Sequence, residues 1–145
     1  MLATGLVFFS CDEELDCKES TIPNSKIGFY TVSGNTLAKA ILNDVSAYGL
    51  ARDSMLYDTV DNVSAIVLPL SQTHDNCMFV MKIGTGYDTL RFNYTRDLDF
   101  VSKECGFSMR CTIYKFEFTT HMIDSAQIIY PYVHTTETEN IRLFF

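Results

Sequence analysis

The densest group of chemically active side chains in this chain is the run His74-Asp75-Asn76-Cys77, which places an imidazole, a carboxylate and a thiol within four residues. Such a group could activate the thiol as a nucleophile or form one corner of a metal site. Nucleophilic catalysis also needs a base that the fold holds within hydrogen-bond reach, and no motif here supplies that context. We therefore expect a polar loop that leads into a strand whose cysteine is disulfide-bonded, with no catalytic residue.

The other candidates for chemistry are isolated along the chain. His121 and His134 are thirteen residues apart, which is about 43 Å in one extended strand, so they meet only if the chain bends. The acidic residues of 58–61 and of 97–99 could offer oxygen ligands to calcium, but neither group lies in the loop pattern that makes this signal specific. The sequence contains no pair of cysteines or histidines at the spacing that is usual for zinc ligands. We expect no metal, no cofactor and no enzymatic activity.

The five cysteines indicate an oxidising compartment. If Cys11 is modified, the remaining four suffice for two disulfides, which are typical of exported proteins. The sequence by itself leaves their connectivity open. These four are Cys17, Cys77, Cys105 and Cys111.

The first seventeen residues indicate where the protein works. Leu2 to Phe9 is apolar, Ser10 precedes Cys11, and acidic residues follow directly. This order resembles the end of a bacterial lipoprotein signal, although a basic start is lacking and Phe8 stands where leucine is usual. A membrane-spanning helix is excluded because it needs about 20 apolar residues. We expect residues 1–10 to be a shortened signal peptide and Cys11 to carry the lipid that anchors the protein to the outer membrane.

The net charge of −7 is unevenly distributed. Residues 11–25 hold one lysine and five acids (1 − 5 = −4), whereas residues 26–145 hold ten basic residues and thirteen acids (10 − 13 = −3). The first range predicts a solvated acidic tether, and the second is a mildly acidic chain of a length that suits one domain. No basic patch of the kind that binds nucleic acid is present.

Residues 26–145 have the pattern of strands almost throughout. The clearest are residues 77–83 and 87–94, which alternate around a short glycine turn and predict a hairpin. The segment Thr36–Leu50 is the one helical competitor, and there we favour two strands with a turn at Asn43-Asp44. Further strands are expected at 26–32, at 63–70 with Pro69 near its end, at 110–119, and at 122–133 and 140–145 as a closing hairpin. Together they predict an all-β fold, a single antiparallel β-sandwich.

Aromatic residues alternate in several of these strands. In 110–119, Tyr114, Phe116 and Phe118 fall on one face with Cys111 and Ile113 on the other, and either a β-bulge or burial of both faces would reconcile the two sets. Exposed tyrosines could stack on sugars, although alternating aromatics more often belong to a core. The candidates are Tyr87, Tyr94, Tyr114, Tyr130 and Tyr132.

Five short motifs are spread over the chain: Asp16-Cys17, Asp53-Ser54-Met55-Leu56-Tyr57, Leu68-Pro69-Leu70, Ser102-Lys103-Glu104-Cys105-Gly106-Phe107 and Asn140-Ile141-Arg142-Leu143-Phe144. They resemble motifs of a family of small uncharacterised β-sandwich lipoproteins of Bacteroidetes. The family has no established activity, so the resemblance implies none. It does imply two disulfides, Cys17–Cys105 and Cys77–Cys111. It also implies that the acids after Cys11 can direct export to the outer face of the outer membrane, with a solvated tether as the alternative.

The same resemblance raises the possibility of O-glycosylation. The acceptor motif of that phylum resembles Asp, then Ser or Thr, then an apolar residue or Thr, and ordinary strand or turn residues match it by chance. The four matching acceptors are Ser54, Thr59, Thr89 and Ser125.

These observations predict a lipid-anchored envelope protein that acts as a non-catalytic binding or assembly module, with an envelope protein or a glycan as its partner. A carbohydrate-binding accessory lipoprotein is the first alternative and requires exposed tyrosines near carboxylates. An envelope hydrolase is the second, and it requires a histidine and a carboxylate or hydroxyl that converge in one cleft.

Overall fold

The computed structural model describes residues 22–50, 55–134 and 138–145. These ranges form eleven strands, so the all-β prediction is confirmed. Nothing in them is a helix long and apolar enough to cross a membrane. The strands are β1 (Asn24–Ser33), β2 (Thr36–Lys39), β3 (Val45–Gly49), β4 (Met55–Val60), β5 (Ala65–Pro69), β6 (Asn76–Ile83), β7 (Gly86–Ser102), β8 (Gly106–Phe118), β9 (Ser125–Ile128), β10 (Tyr132–Val133) and β11 (Glu139–Phe144). The predictions for Cys11, Cys17 and Ser54 lie outside the described residues.

The strands form a five-stranded and a six-stranded sheet. The first has the order β2-β1-β11-β9, with β5 also paired to β1, and the second has the order β10-β8-β7-β6-β3-β4. The expectation of purely antiparallel pairing is wrong at one place, because β1 and β11 are parallel. A tight turn imposes antiparallel pairing only on strands that it joins, and these two lie at opposite ends of the described chain.

One hydrophobic core contains side chains from both sheets. Phe29 and Ile141 of the five-stranded sheet are fully buried, as are Leu90 and Phe92 of the six-stranded sheet. Each such side chain stabilises the fold by about 1.5–3 kcal/mol relative to leaving it in water. Both sheets therefore depend on the same core.

Two predictions, the hairpin of residues 77–94 and the pair of strands in Thr36–Leu50, are largely confirmed. β6 and β7 pair antiparallel from Ile83–Gly86 to Asn76–Asn93, and Gly84 occupies the turn with a φ of 59°, which glycine adopts without strain. The Thr36–Leu50 segment contains two strands and no helix. These strands are not a hairpin, because β2 lies in the five-stranded sheet and β3 in the six-stranded sheet.

The predicted closing hairpin is confirmed only in part. β9 pairs with β11, but β10 leaves that sheet and pairs with β8. The change of sheet occurs at Pro131, whose ring nitrogen has no proton to donate to a ladder. The Asn140 amide nitrogen secures the crossing by donating to the carbonyls of Tyr130 and Tyr132, each at 3.0 Å.

The β-bulge in β8 is confirmed. Asn93 pairs with Lys115 and the next residue, Tyr94, pairs with Ile113, so Tyr114 is the extra residue. Tyr114 is 66% exposed, while Ile113 is buried. The bulge restores the apolar face of the strand after its alternation is interrupted.

A long hairpin arm is the main element that the sequence did not predict. β7 and β8 continue to pair through Ser102–Gly106, whereas the pairing of β6 with β7 ends at Asn93 and that of β10 with β8 ends at Cys111. Within the described ranges, residues 97–110 therefore pair only with each other, and we call them the β7–β8 arm.

Candidate functional site

A cleft of about 490 Å³ lies beside the loop that connects β5 to β6. Its volume falls within the range of about 300–1,000 Å³ that is usual for ligand sites. Its wall combines apolar residues of β5, of β6 and of the end of β3 and the residue after it with polar side chains from the loop. The lining residues are Gly49, Leu50, Pro69, Ser71, Thr73, His74, Asn76, Cys77, Met78 and Phe79. Most of the predicted His74–Cys77 run thus lies at one concave surface.

Arg96 and Tyr94 of β7 hold this loop in place. The Arg96 Nε donates to Asp75 Oδ1 at 2.6 Å, and its Nη1 donates to the carbonyl of Gln72 at 2.6 Å. The Tyr94 hydroxyl donates to the carbonyl of Ser71 at 3.0 Å. The hydrogen bond to Asp75 raises the pKa of Arg96, which stays charged. The polar rim of the cleft is therefore formed before any ligand binds.

His74 belongs to a small hydroxyl network rather than to a triad. Its Nδ1 lies 3.0 Å from Thr73 Oγ1 and 3.4 Å from Ser71 Oγ, and its amide donates to Ser71 Oγ at 3.2 Å. Asp75, which would have to orient the imidazole in a triad, is instead bonded to Arg96. This arrangement can donate and accept hydrogen bonds at the cleft rim.

The expected disulfide between Cys77 and Cys111 is absent, since both are thiols. The strand order explains the difference, because β6 and β8 lie on opposite sides of β7. Two inter-strand spacings amount to about 9.6 Å, whereas a disulfide needs Cα atoms within about 7 Å. Burial raises the pKa of Cys111 to about 12, so this thiol stays protonated and is a poor nucleophile.

Cys105 lies at the tip of the β7–β8 arm, where its amide donates to Ser102 Oγ at 3.0 Å. Its expected partner, Cys17, lies outside the described residues. The pairing of these two cysteines stays a prediction.

Asp88 is a buried carboxylate that the sequence identified only as part of a modification motif. Its oxygens accept hydrogen bonds from the Thr119 hydroxyl at 2.6 Å and from the amides of His121, Met122 and Ile123 at 2.8, 2.7 and 3.0 Å. Burial by itself would raise the pKa of Asp88, but these hydrogen bonds outweigh it and the pKa is lowered. The carboxylate therefore fixes the loop after β8.

His74 and His121 do not lie close enough together to form one catalytic site. The His74 loop is bonded to β7 at Tyr94 and Arg96, whereas the His121 Nδ1 lies 3.2 Å from Asp88 near the other end of that strand. Six residues of strand separate Asp88 from Tyr94, which is about 20 Å. His134 follows β10, and its carbonyl accepts a hydrogen bond from the Asn24 amide.

A second polar cluster, which is partly buried, lies between β1 and β11. The Tyr30 hydroxyl donates to Glu139 Oε2 at 2.7 Å, and Arg142 Nε donates to Glu139 Oε1 at 2.6 Å. The guanidinium also lies 4.7 Å from the centroid of the Tyr30 ring. Burial by itself would raise the pKa of Glu139, but its hydrogen bonds lower it overall. Gly28 provides the space, because a Cβ there would lie 2.5 Å from Glu139 Oε2.

The tyrosines divide into buried and exposed groups. Tyr94 is buried, but Tyr87 is 58% exposed at the other end of β7. The rings of Tyr130 and Tyr132 meet edge to face at 5.4 Å. Because the carbonyl of Pro131 accepts the Ile113 amide, this pair lies beside the bulge residue of β8, Tyr114. Tyr130 and Tyr132 are 40% and 48% exposed, and we call this pair the exposed aromatic patch.

The predicted glycosylation acceptors have different exposures. Thr59 and Ser125 are exposed, and Thr89 is half-buried. The amide of Thr89 donates to Thr119 Oγ1 at 2.9 Å, and the aspartate of its motif is the buried Asp88. Thr59 and Ser125 are therefore the accessible acceptors among these three, and their modification stays a prediction.

The acidic groups considered for calcium have partners within the protein. Asp99 lies 3.7 Å from Arg110, Asp61 accepts the Asp44 amide at 2.9 Å, and Asp58 accepts the Thr59 hydroxyl at 3.0 Å. No group of three potential metal ligands occurs among the described residues.

Comparison with known proteins identifies a family but no activity. The family of unknown function DUF6452 matches residues 44–145. The comparisons with curated proteins and with solved structures found no match.

Proposed function

The chain belongs to DUF6452, a family of unknown function, and we propose from its geometry that it is a non-catalytic binding or assembly module of the bacterial cell envelope. The observation that carries this proposal is the cleft beside the β5–β6 loop. Arg96 and Tyr94 hold its rim in one conformation, and a rigid rim reduces the entropy that a ligand would lose on binding.

The environment of the module is proposed from its sequence. Cys11 carries a lipid that anchors the chain to the outer membrane, and Cys17 joins Cys105 in a disulfide. Residues 11–25 then form a tether whose net charge of −4 keeps it solvated. The two sheets face each other as a β-sandwich, which is supported by the core that they share.

Photo-cross-linking in intact cells tests the binding site. A photoreactive amino acid replaces Met78, which lines the cleft and is 37% exposed, and in a control it replaces Leu37, which lies on β2 in the other sheet and is 46% exposed. We expect a defined adduct from position 78 and none from position 37. Equal capture at both positions would contradict the assignment of the cleft.

A variant of Arg96, which holds the β5–β6 loop in place, tests whether a preformed rim is needed for binding. Arg96→Leu removes the hydrogen bonds to Asp75 and Gln72 without replacing any residue that lines the cleft. We expect the adduct at position 78 to decrease while the protein level stays unchanged, because the rim is no longer held before binding.

Carbohydrate binding is the second candidate, and the exposed aromatic patch favours it. Aromatic rings on a protein surface can stack on the apolar faces of sugars. Binding to an array of bacterial glycans should be lost on Tyr132→Ala and retained on Tyr87→Ala, because Tyr87 lies outside the patch and is 58% exposed. Wild-type protein that binds no glycan on the array would eliminate this candidate.

A further inference from the structure

The β7–β8 arm has one apolar and one polar face. Leu98 pairs with Met109 and Phe100 pairs with Phe107, and residues two apart on a strand share a face. Leu98, Phe100 and Phe107 are 67%, 59% and 61% exposed, with the two phenylalanine rings in contact at 5.5 Å. The opposite face contains Asp97, Asp99, Ser108 and Arg110.

This exposure is unusual for two paired strands. A two-stranded ribbon is only marginally stable in water by itself. Large apolar side chains that are gathered on one exposed surface mark an interaction site. The arm therefore presents a surface that is more stable when it is covered.

The start of the described chain lies at the base of this arm. The Asn24 amide donates to the carbonyl of His134 at 3.1 Å, and the residue before His134, Val133, pairs with Cys111 at the beginning of the arm. Ten residues separate Cys11 from Ile22, so an extended chain would span at most about 40 Å between their Cα atoms. The arm from Cys111 to Cys105 is about 20 Å long. A lipid on Cys11 would therefore keep the arm within reach of the bilayer.

We propose that the apolar face of the β7–β8 arm binds the surface of the lipid bilayer, with Leu98, Phe100 and Phe107 inserted among the lipid headgroups and upper acyl chains. This inference rests on the proposed anchoring of the chain through Cys11. The charged face of the arm then remains in water, where Asp99 and Arg110 keep their ion pair. The tether is a poor alternative cover, because residues 12–21 contain five acids and a single large apolar residue, Leu15.

Tryptophan fluorescence tests the proposal, because the chain contains no tryptophan. Phe100→Trp places a probe on the arm, and Tyr87→Trp places a control near the other end of the same strand, where the exposure of 58% matches the 59% of Phe100. The full chain carries an N-terminal histidine tag and is bound to phosphatidylcholine vesicles that contain a nickel-chelating lipid. We expect a shift to shorter wavelength and several-fold stronger quenching by brominated phosphatidylcholine for Phe100→Trp than for Tyr87→Trp.

Three results would overturn the proposal: equal quenching of the two probes, a probe at position 100 that is already shielded in dilute solution without vesicles, and shielding that depends on protein concentration. The second would show that the chain covers its own arm, and the third would show a second copy. Leu98→Trp provides a second probe on the same face if Phe100→Trp does not fold.

The tag separates this inference from the proposed function. The tagged protein is produced where no lipid is attached to Cys11 and the tag is retained, so Cys11→Ala protein should show the same difference in quenching. Loss of fatty-acid labelling at Cys11 would reject the natural anchor, whereas equal quenching of the two probes would reject the arm as a lipid-binding surface.

Discussion

Asp88 determines the course of a loop that lies more than thirty residues away from it in sequence, because its donors are Thr119 and the amides of His121 to Ile123. No local sequence pattern predicts the contact between Asp88 and the loop after β8, so the sequence indicates only a modification motif at this position. The cleft differs in this respect, because His74 to Cys77 are adjacent in the chain and could be singled out from sequence. Arg96, which holds this loop in place, could not be identified from the sequence, because it lies about twenty residues further along the chain.

We predict that Asp88→Asn lowers the free energy of unfolding by about 2–3 kcal/mol at neutral pH. The substitution replaces one buried carboxylate oxygen, which accepts hydrogen bonds, by an NH₂ group that can only donate them and therefore faces other donors. The pKa of Asp88 is lowered in the folded protein, so its contribution is present above the pKa of the unfolded chain, about 3.9, and is lost as the pH falls through the folded pKa. Urea unfolding across this pH range measures the difference, with the exposed Asp58→Asn as the control. A difference that does not change with pH would contradict the ionised carboxylate.

Gly28→Ala should lower stability by about 1–3 kcal/mol, because the added Cβ overlaps the Glu139 carboxylate and the Tyr30 ring. In the Gly28→Ala/Glu139→Ala double variant, the effects should be less than additive, since the clashing group is gone. Urea denaturation of the three variants measures this coupling, and additive losses would show that the cluster does not restrict position 28.

At the scale of elements, the alternation of apolar and polar residues predicts the pairing of strands that follow each other in the chain. It does not predict pairing that depends on contacts with other parts of the chain. The β6–β7 hairpin follows from two alternating runs and a glycine turn, and the bulge at Tyr114 follows from an interrupted alternation. The split of 122–133 between two sheets depends on the hydrogen bonds of Asn140 to Tyr130 and Tyr132 and on the pairing of β10 with β8, about twenty residues earlier in the chain. The arm was missed because residues 97–110 pair without a core to impose a simple apolar pattern.

Asn140→Asp tests the crossing between the sheets. The substitution keeps the shape of the side chain but removes both donors to Tyr130 and Tyr132 in a site that is 1% exposed, so we expect a loss of about 3 kcal/mol. Asn43→Asp is the matched control, because Asn43 uses only its oxygen, which accepts the Asn62 amide. Similar stabilities of the two variants in urea unfolding would contradict the role of Asn140.

The strand order also predicts the redox state of the cysteines. Cys77 and Cys111 cannot bridge across β7, so alkylation in denaturant without reductant should modify both. Peptide mapping should then recover Cys17 joined to Cys105, the pairing that the family resemblance implies. A peptide that contains Cys77 disulfide-bonded to Cys111 would show that the order of strands is wrong.

At the scale of the whole molecule, the proposed roles of the cleft and of the arm depend on the anchor. The sequence predicted an all-β domain from its alternation, which the structure confirms, and it predicted a location from the residues around Cys11, which lie outside the described ranges. The cleft and the arm belong to the folded domain, but their proposed roles at an envelope surface require that the chain be held there.

Fatty-acid labelling of cells that express the full-length gene tests this requirement most directly. Wild-type protein should incorporate the label and sediment with the membranes, whereas Cys11→Ala should lose the label and shift to the soluble fraction, with Cys77→Ala as a matched control that keeps both. Label retained by Cys11→Ala, or a wild-type protein that is unlabelled and soluble, would contradict the account.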